Sequence, residues 1–80
     1  MDKLYTPIDG ASYAELEKLA MHRERCRIVF RAEGLPTIRT GVIRDLLTRP
    51  GEEFLVLADG TQIRLDALMR VNGRRYSQGF

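Results

Sequence analysis

The stretch CRIVFRAE, residues 26–33, decides the fold class, because its apolar and polar residues alternate one by one. Side chains of a β-strand point alternately to its two faces, so this pattern places one set inside and the other in solvent. Cys26, Ile28, Phe30 and Ala32 form the apolar set, and arginine and glutamate dominate the other. The stretch therefore predicts a strand with an apolar face and a mostly charged face.

More short strands are predicted on the carboxyl side of this stretch. After a turn at residues 34–36, strands are expected at residues 37–46, 53–58, 61–65 and 69–71. Gly41, at the centre of the second strand, is expected to mark a bulge or bend that curls the sheet. Asp59 and Gly60 predict a hairpin with a type I′ turn, which needs positive φ at both central residues. Residues 72–80 are expected to fray.

One helix is predicted before the strands, over about residues 13–24. Ser12 is expected to cap it, since its hydroxyl can accept the backbone N–H of Glu15 while the Glu15 carboxylate returns to the Ser12 N–H. The helical spacing places one narrow apolar face at Leu16, Leu19 and Ala20. So narrow a face does not stabilise a helix alone, and we expect the helix to lie on the strands.

Together these elements predict one domain, residues 1–80, of the mainly β (α+β) class. A helix followed by about five short, bent, antiparallel strands indicates a small Sm-like or SH3-like β-barrel. We expect the barrel at about residues 25–71 and a flexible tail at residues 72–80. A chain of 80 residues has no room for a second domain.

Composition argues against several function classes. The chain is 44% hydrophobic and 30% charged, which is ordinary for a globular protein. A core of this size is modest and the sequence has no nucleophile, phosphate-loop or metal motif, so we expect no enzyme and no small-molecule substrate. One cysteine, Cys26, and one histidine, His22, exclude an internal disulfide and a four-ligand zinc site. We expect no cofactor, no metal, no membrane span and a reducing, cytoplasmic setting.

Charge is spread unevenly, although the net charge is only +2. Residues 1–20 carry −2, residues 21–50 carry +4, residues 51–66 carry −3 and residues 67–80 carry +3. Arginine supplies most of the cations, and it suits bidentate contacts to carboxylate or phosphate. Direct RNA binding by one barrel face is therefore one hypothesis; the alternative is that these side chains simply project into solvent. The candidates on that face are Arg27, Arg31, Arg39, Arg44 and Arg49.

Short motifs along most of the chain follow the order and spacing of a known family. They begin with Tyr5, Pro7, Ile8, Tyr13, Leu16 and Glu17. They continue through residues 26–30, 45–46, 53–56 and 63–66, so that roughly residues 5–71 are covered. This pattern resembles the Rof family, the Rho-binding antiterminators.

The resemblance implies an Sm-like barrel with an N-terminal helix that binds transcription termination factor Rho. Members of the family dock near the primary RNA-binding site on the N-terminal domain of Rho and inhibit termination. They use the helix and the loop between strands two and three. On this chain the implied contacts are Tyr13, Ala14, Glu17, Met21, Thr48 and Arg49, with Asp9 and Glu15 as neighbouring carboxylates.

Ala14 departs from the family pattern, in which the residue after this tyrosine is usually an aspartate. Glu15 points about 100° away on the helical wheel and is an imperfect substitute. The chain is also mildly basic, with a pI of about 9.0, whereas family members are typically acidic. Either the partner surface differs, or Asp9 replaces the missing carboxylate, or the affinity for Rho is lower.

Three functions follow from the sequence. In the first, the domain docks on Rho and blocks RNA loading, with Asp9, Glu15 and Glu17 supplying negative charge, Tyr13 an apolar anchor and Arg49 a loop contact. The second is an Sm-like RNA-binding module, and the third is an interaction domain for another protein partner. Each site residue also has a purely structural interpretation, since Tyr13 can cover the end of the core and the charged side chains can be solvated.

Overall fold

The computed structural model describes residues 10–76. One helix, α1, precedes six strands, with a single 3-10 turn at Leu65–Ala67 between the fourth and fifth strands. The elements are α1 at Gly10–Met21, β1 at Arg25–Ala32, β2 at Leu35–Arg49, β3 at Glu52–Leu57, β4 at Gln62–Arg64, β5 at Leu68–Val71 and β6 at Arg74–Arg75. A mainly β domain with an N-terminal helix is thereby confirmed.

All six strands pair antiparallel in one open sheet of order β4-β3-β2-β1-β5-β6. The 15-residue strand β2 runs through both halves, pairing first with β1 and then with β3. Its register with β3 shifts between Ile43 and Asp45, so the extra residue is Arg44. Gly41 pairs regularly with Cys26. The bulge expected at Gly41 therefore lies at Arg44, three residues further along β2.

The predicted closed barrel does not form within residues 10–76, and β6 supplies the reason. A strand has two edges, and β5 pairs with β1 on one side and with β6 on the other. No edge of β5 is left for β4, so the sheet stays open. The expectation that residues 72–80 fray is also wrong for its first part, because Arg74 and Arg75 are paired and Tyr76 is buried. Residues 77–80 lie outside the described part.

Two hairpins use tight two-residue turns with positive φ at both positions, the pattern of type I′. They lie at Glu33 (51°) and Gly34 (81°), and at Asn72 (52°) and Gly73 (86°). The hairpin predicted at residues 59–60 is present between β3 and β4, but its turn type is different: of those two residues only Gly60 has positive φ, at 94°. A three-residue loop with a left-handed glycine gives that arrangement, and the Asp59 carboxylate accepts the Thr61 N–H at 2.9 Å.

Helix α1 begins two residues before the predicted cap. Ser12 is buried inside its first turn instead of capping it, and the Arg74 guanidinium approaches the Ser12 hydroxyl at 3.5 Å. The helix ends at Met21 because Arg23 takes a left-handed φ of 53°. The N–H of Arg23 then bonds the carbonyl of Ala20, and the N–H of Glu24 bonds that of Leu19, a Schellman motif.

The core lies between α1 and the inner side of the curved sheet. Leu16 and Leu19 are the helix side chains that enter it, as the predicted apolar face requires. Tyr13, Ala20, Phe30 and Leu46 pack against it while half-buried. No helix within residues 10–76 is long and apolar enough to cross a membrane. The buried cluster consists of Leu16, Leu19, Cys26, Ile28, Ile43, Leu55, Leu57, Ile63, Leu65, Leu68, Val71 and Tyr76.

Replacement of Gly34 by valine is expected to lower the free energy of unfolding by about 1–2 kcal/mol, because a β-branched residue is strained at positive φ. Urea denaturation measures the change. Gly41→Ala is the control: its new Cβ would lie 3.7 Å from Leu57 Cδ1, an ordinary contact, and the effect should stay within about 0.5 kcal/mol. Equal losses at the two glycines would contradict the turn assignment.

Candidate functional site

A shallow groove runs between α1 and β2. Its helix side is formed by Tyr13, Glu17, Ala20 and Met21. Its strand side is formed by Arg44, Asp45 and Leu46. The helix residues of the groove are three or four positions apart, so they lie on one side of α1. This side is next to the one that carries Leu16 and Leu19 into the core.

The bulge in β2 explains how two consecutive residues, Arg44 and Asp45, both line this groove. Successive side chains of a regular strand point to opposite faces, so neighbours cannot share one. The register shift between Ile43 and Asp45 removes that restriction at Arg44. Leu46, the next residue, packs on the core and also borders the groove.

The groove combines an apolar surface with carboxylates. Met21 has 77% of its surface exposed, which is unusual for so large an apolar residue. Glu17 is exposed on the helix, and Asp45 is exposed on the strand. An Asp45 carboxylate oxygen accepts the backbone N–H of Leu46 at 2.8 Å, which orients the group. Arg44 contributes one guanidinium, so the charged groups of the groove are two carboxylates and one cation.

The structure brings together three of the residues expected at the interface: Tyr13, Glu17 and Met21. Ala14 is exposed and Glu15 is half-buried on the same helix, but neither lines the groove. Asp9 lies outside the described residues.

Thr48 and Arg49 are exposed at the far end of β2 and do not line the groove either. The Arg49 guanidinium lies over the Phe54 ring, 5.2 Å from its centroid. That contact gives Arg49 a structural role at the β2–β3 turn. Its role as a partner contact stays a prediction.

The strand side of the groove was missed from the sequence. Arg44, Asp45 and Leu46 were not among the expected contacts, although residues 45–46 belong to the family-like pattern, and Ala20 was missed on the helix side. A regular strand over residues 37–46 would have placed Arg44 and Asp45 on opposite faces. The position of a bulge was the missing information, and the sequence has no glycine there to signal it.

Cys26 behaves as a core residue. Its side chain is fully buried on β1, and its Sγ lies 3.3 Å from the backbone carbonyl of Glu24, which it can contact as donor. Burial, with a smaller contribution from the charge of Glu24, raises the pKa of the Cys26 thiol above its ordinary value. The neutral thiol is favoured, and a neutral thiol is a poor nucleophile.

The five arginines expected on one barrel face do not share it. Arg27 and Arg31 lie on the outer side of β1, whereas Arg39 pairs with the inward residue Ile28 and so lies on the other side of the sheet. Arg44 is in the groove, and Arg49 covers Phe54. The set proposed from the sequence is therefore wrong as a single surface.

Comparisons of the chain with models of known protein families, with curated proteins and with solved structures give no match.

Proposed function

We propose that this domain docks on transcription termination factor Rho, blocks the loading of RNA and so reduces Rho-dependent termination. The observation that carries the proposal is the groove between α1 and β2, where exposed Met21 lies beside the carboxylates of Glu17 and Asp45. Three residues of the groove, Tyr13, Glu17 and Met21, are among the contacts that the Rof-like pattern implies.

The chemistry of competition supports this choice. A site that receives RNA presents arginines and lysines to phosphates. Carboxylates form charge-assisted hydrogen bonds with the same groups, so a surface that carries them can occupy the site in place of RNA. Met21 and the half-buried ring of Tyr13 supply apolar area that excludes water around those bonds.

Asp45 offers an answer to the departure at Ala14. In this proposal the carboxylate that the family places after the tyrosine comes instead from β2, because Asp45 lines the same groove as Tyr13. Arg44, beside it, is a cation that a basic partner surface disfavours. The partner surface is therefore expected to carry a carboxylate or a gap opposite Arg44.

The Sm-like architecture is part of the proposal. A long bent second strand shared by two halves of the sheet, and a 3-10 turn between the fourth and fifth strands, support it. In this interpretation β6 is an addition that holds the sheet open at its far edge.

The test is a fluorescence-anisotropy competition. Labelled cytosine-rich RNA is bound to Rho, and this protein is then added, with a parallel titration that lacks Rho. We expect anisotropy to fall as RNA is released from Rho. Unchanged anisotropy at saturating protein would overturn the proposal and favour an interaction domain for another protein.

Glu17→Lys is expected to weaken the Rho complex at least tenfold, because it replaces an attraction with a repulsion at a basic surface. Asp45→Lys should act in the same direction. Glu33→Lys, with the same charge change at the β1–β2 turn, is the matched control and should change affinity less than threefold. Competition titrations against Rho-bound RNA measure all three. Equal weakening by Glu33→Lys would show a general charge effect and remove the groove from the interface.

A further inference from the structure

Five arginines lie on the outer side of the sheet, opposite to the core. On β1, Cys26 and Ile28 are fully buried. The arginines that alternate with them are exposed and therefore point away from the core. On β5, Arg70 pairs with Val29 of β1 and so lies on the same side of the sheet. Arg70 pairs in turn with Arg75 of β6. We name this surface the arginine face; its members are Arg25, Arg27, Arg31, Arg70 and Arg75.

The arginine face is not neutralised by the described part of the chain. None of its five guanidinium groups pairs with a carboxylate of residues 10–76. The neighbouring positions on this face of β1 and β2 carry no aspartate or glutamate; they are Val29, Pro36, Ile38, Thr40 and Val42.

Three other arginines of residues 10–76 differ in this respect. Arg64 forms ion pairs with Glu52 at 3.1 Å and with Asp66 at 2.9 Å. Arg49 and Arg74 lie over aromatic rings. The folded chain thus provides partners for these three side chains. Arg23, Arg39 and Arg44 form no ion pair within residues 10–76 either, but they are dispersed, whereas the arginine face groups five such side chains on one side of the sheet.

The dimensions of the arginine face suit an extended polyanion. Strands rise about 3.4 Å per residue, so Arg25 and Arg31 are separated by about 20 Å along β1. Neighbouring strands are about 4.8 Å apart, so β1, β5 and β6 present the charge over a strip about 10 Å wide. A long narrow positive strip matches one charged backbone better than it matches a point charge.

We propose that the arginine face binds the sugar–phosphate backbone of single-stranded nucleic acid. Charge complementarity is the first reason, since guanidinium groups bind phosphates bidentately. The second is that guanidinium planes also stack on unpaired bases, which compensates for the lack of an aromatic residue at the described positions of this face. Ile38, with 53% of its surface exposed, and Val29 add apolar contact for bases or sugars.

A single strand is favoured over a duplex because β1, β5 and β6 together present Arg27, Arg70 and Arg75 on one sheet surface. Sheet surfaces are a common platform for single strands. The far end of the β1–β2 hairpin, which carries Arg31, extends beyond β5 as a two-stranded ribbon. Ribbons of that kind can enter a duplex groove, so a duplex is a comparison ligand in the test.

This function is additional to docking on Rho and uses different residues. The groove lies between α1 and β2, whereas the arginine face is on the side of the sheet that points away from the core. Glu17→Lys therefore tests the first proposal without touching the arginine face, and failure of one proposal leaves the other standing.

The experiment is a direct anisotropy titration, without Rho, of labelled single strands about twelve nucleotides long, within the ~4–16 nucleotides that small folds cover. Oligouridine and oligothymidine separate RNA from DNA, and a duplex of equal length and polyglutamate are the comparison ligands. We expect both single strands to bind more tightly than the duplex and polyglutamate. Equal affinity for RNA and DNA indicates contacts to the shared backbone, and tighter RNA binding adds a contact to the 2′-hydroxyl.

Salt dependence gives the second readout. Five neutralised phosphates on a single strand predict a log–log slope of about −3.5, or about a 100-fold loss of affinity between 50 and 200 mM salt. No binding of either single strand at 50 mM, or polyglutamate binding as tightly as the oligonucleotides, would overturn the proposal.

Charge-matched variants locate the site. Arg27→Glu with Arg31→Glu should weaken binding at least tenfold, and Arg70→Glu, on another strand of the same face, should weaken it independently. Lys18→Glu with Arg23→Glu makes the same charge change at two exposed positions at the end of α1 and should change affinity less than threefold. Circular dichroism confirms folding in each case. Equal loss in the two double variants would mean that overall charge binds the strand and would refute a defined face.

Discussion

Leu16→Ala is expected to lower the free energy of unfolding by about 3 kcal/mol, within the ~2–5 kcal/mol of buried leucine truncations. Leu16 is fully buried between α1 and the sheet, and Leu19 is the other side chain of α1 in the buried hydrophobic cluster. An 80-residue domain has only about 4–12 kcal/mol of stability in total. The loss therefore corresponds to about 12–24 °C in the melting temperature.

Urea denaturation followed by circular dichroism gives the measurement. Leu35→Ala provides a matched control, because Leu35 has 68% of its surface exposed and its truncation should change stability by less than about 0.5 kcal/mol. A loss below 1 kcal/mol for Leu16→Ala would mean that α1 is only loosely held on the sheet. In that case the groove between α1 and β2 would not be a fixed surface.

Tyr76→Ala is expected to lower stability by about 3 kcal/mol, at the lower end of the range for buried aromatic residues. Only 4% of the Tyr76 surface is exposed. Its backbone N–H donates to the carbonyl of Met69 at 2.9 Å, and the Arg74 guanidinium lies 5.4 Å from the ring centroid. The ring thus fastens the β5–β6 hairpin to the core.

The neighbouring exposed residue supplies the comparison for this variant. Arg75→Ala alters the residue just before Tyr76, at the end of β6, without removing buried surface, so its effect should stay within about 0.5 kcal/mol. Thermal or urea unfolding measures the stability loss of each of these two variants. If Tyr76→Ala were as mild as Arg75→Ala, the carboxyl end of the chain would fray as the sequence alone predicts.

The strands and the helix were predictable because each follows a simple periodicity. Alternation in residues 26–33 requires a strand, and the helical spacing of Leu16 and Leu19 requires a helix that docks. The last strand was missed because β6 has only two residues, too few to show a period. The turn residues Asn72 and Gly73 did signal it, since asparagine followed by glycine favours a type I′ turn. Because that strand occupies the edge of β5, missing it also produced the wrong closed barrel.

Three of the seven groove residues were expected from the sequence. The family resemblance implied Tyr13, Glu17 and Met21 as contacts, and helical spacing allows these three to share one side of α1. The facing residues Arg44 and Asp45 depend on a bulge and on packing between distant parts of the chain. Local sequence does not encode that kind of information. The same holds for the arginine face, which needs the register of three strands.

The short outer strands also limit self-association at the two ends of the sheet. An exposed strand edge is a template on which another chain can add a strand, and long edges lead to ring-like assemblies or fibres. The outermost strands are β4, with three residues, and β6, with two, and both carry arginine. Two copies that approached through β6 would bring like charges together over a very short ladder. The longer unpaired edge lies inside the sheet order, on the first part of β2, where residues 35–42 pair with β1 and not with β3. A second strand that adds to this domain is therefore expected at β2 and not at the ends of the sheet.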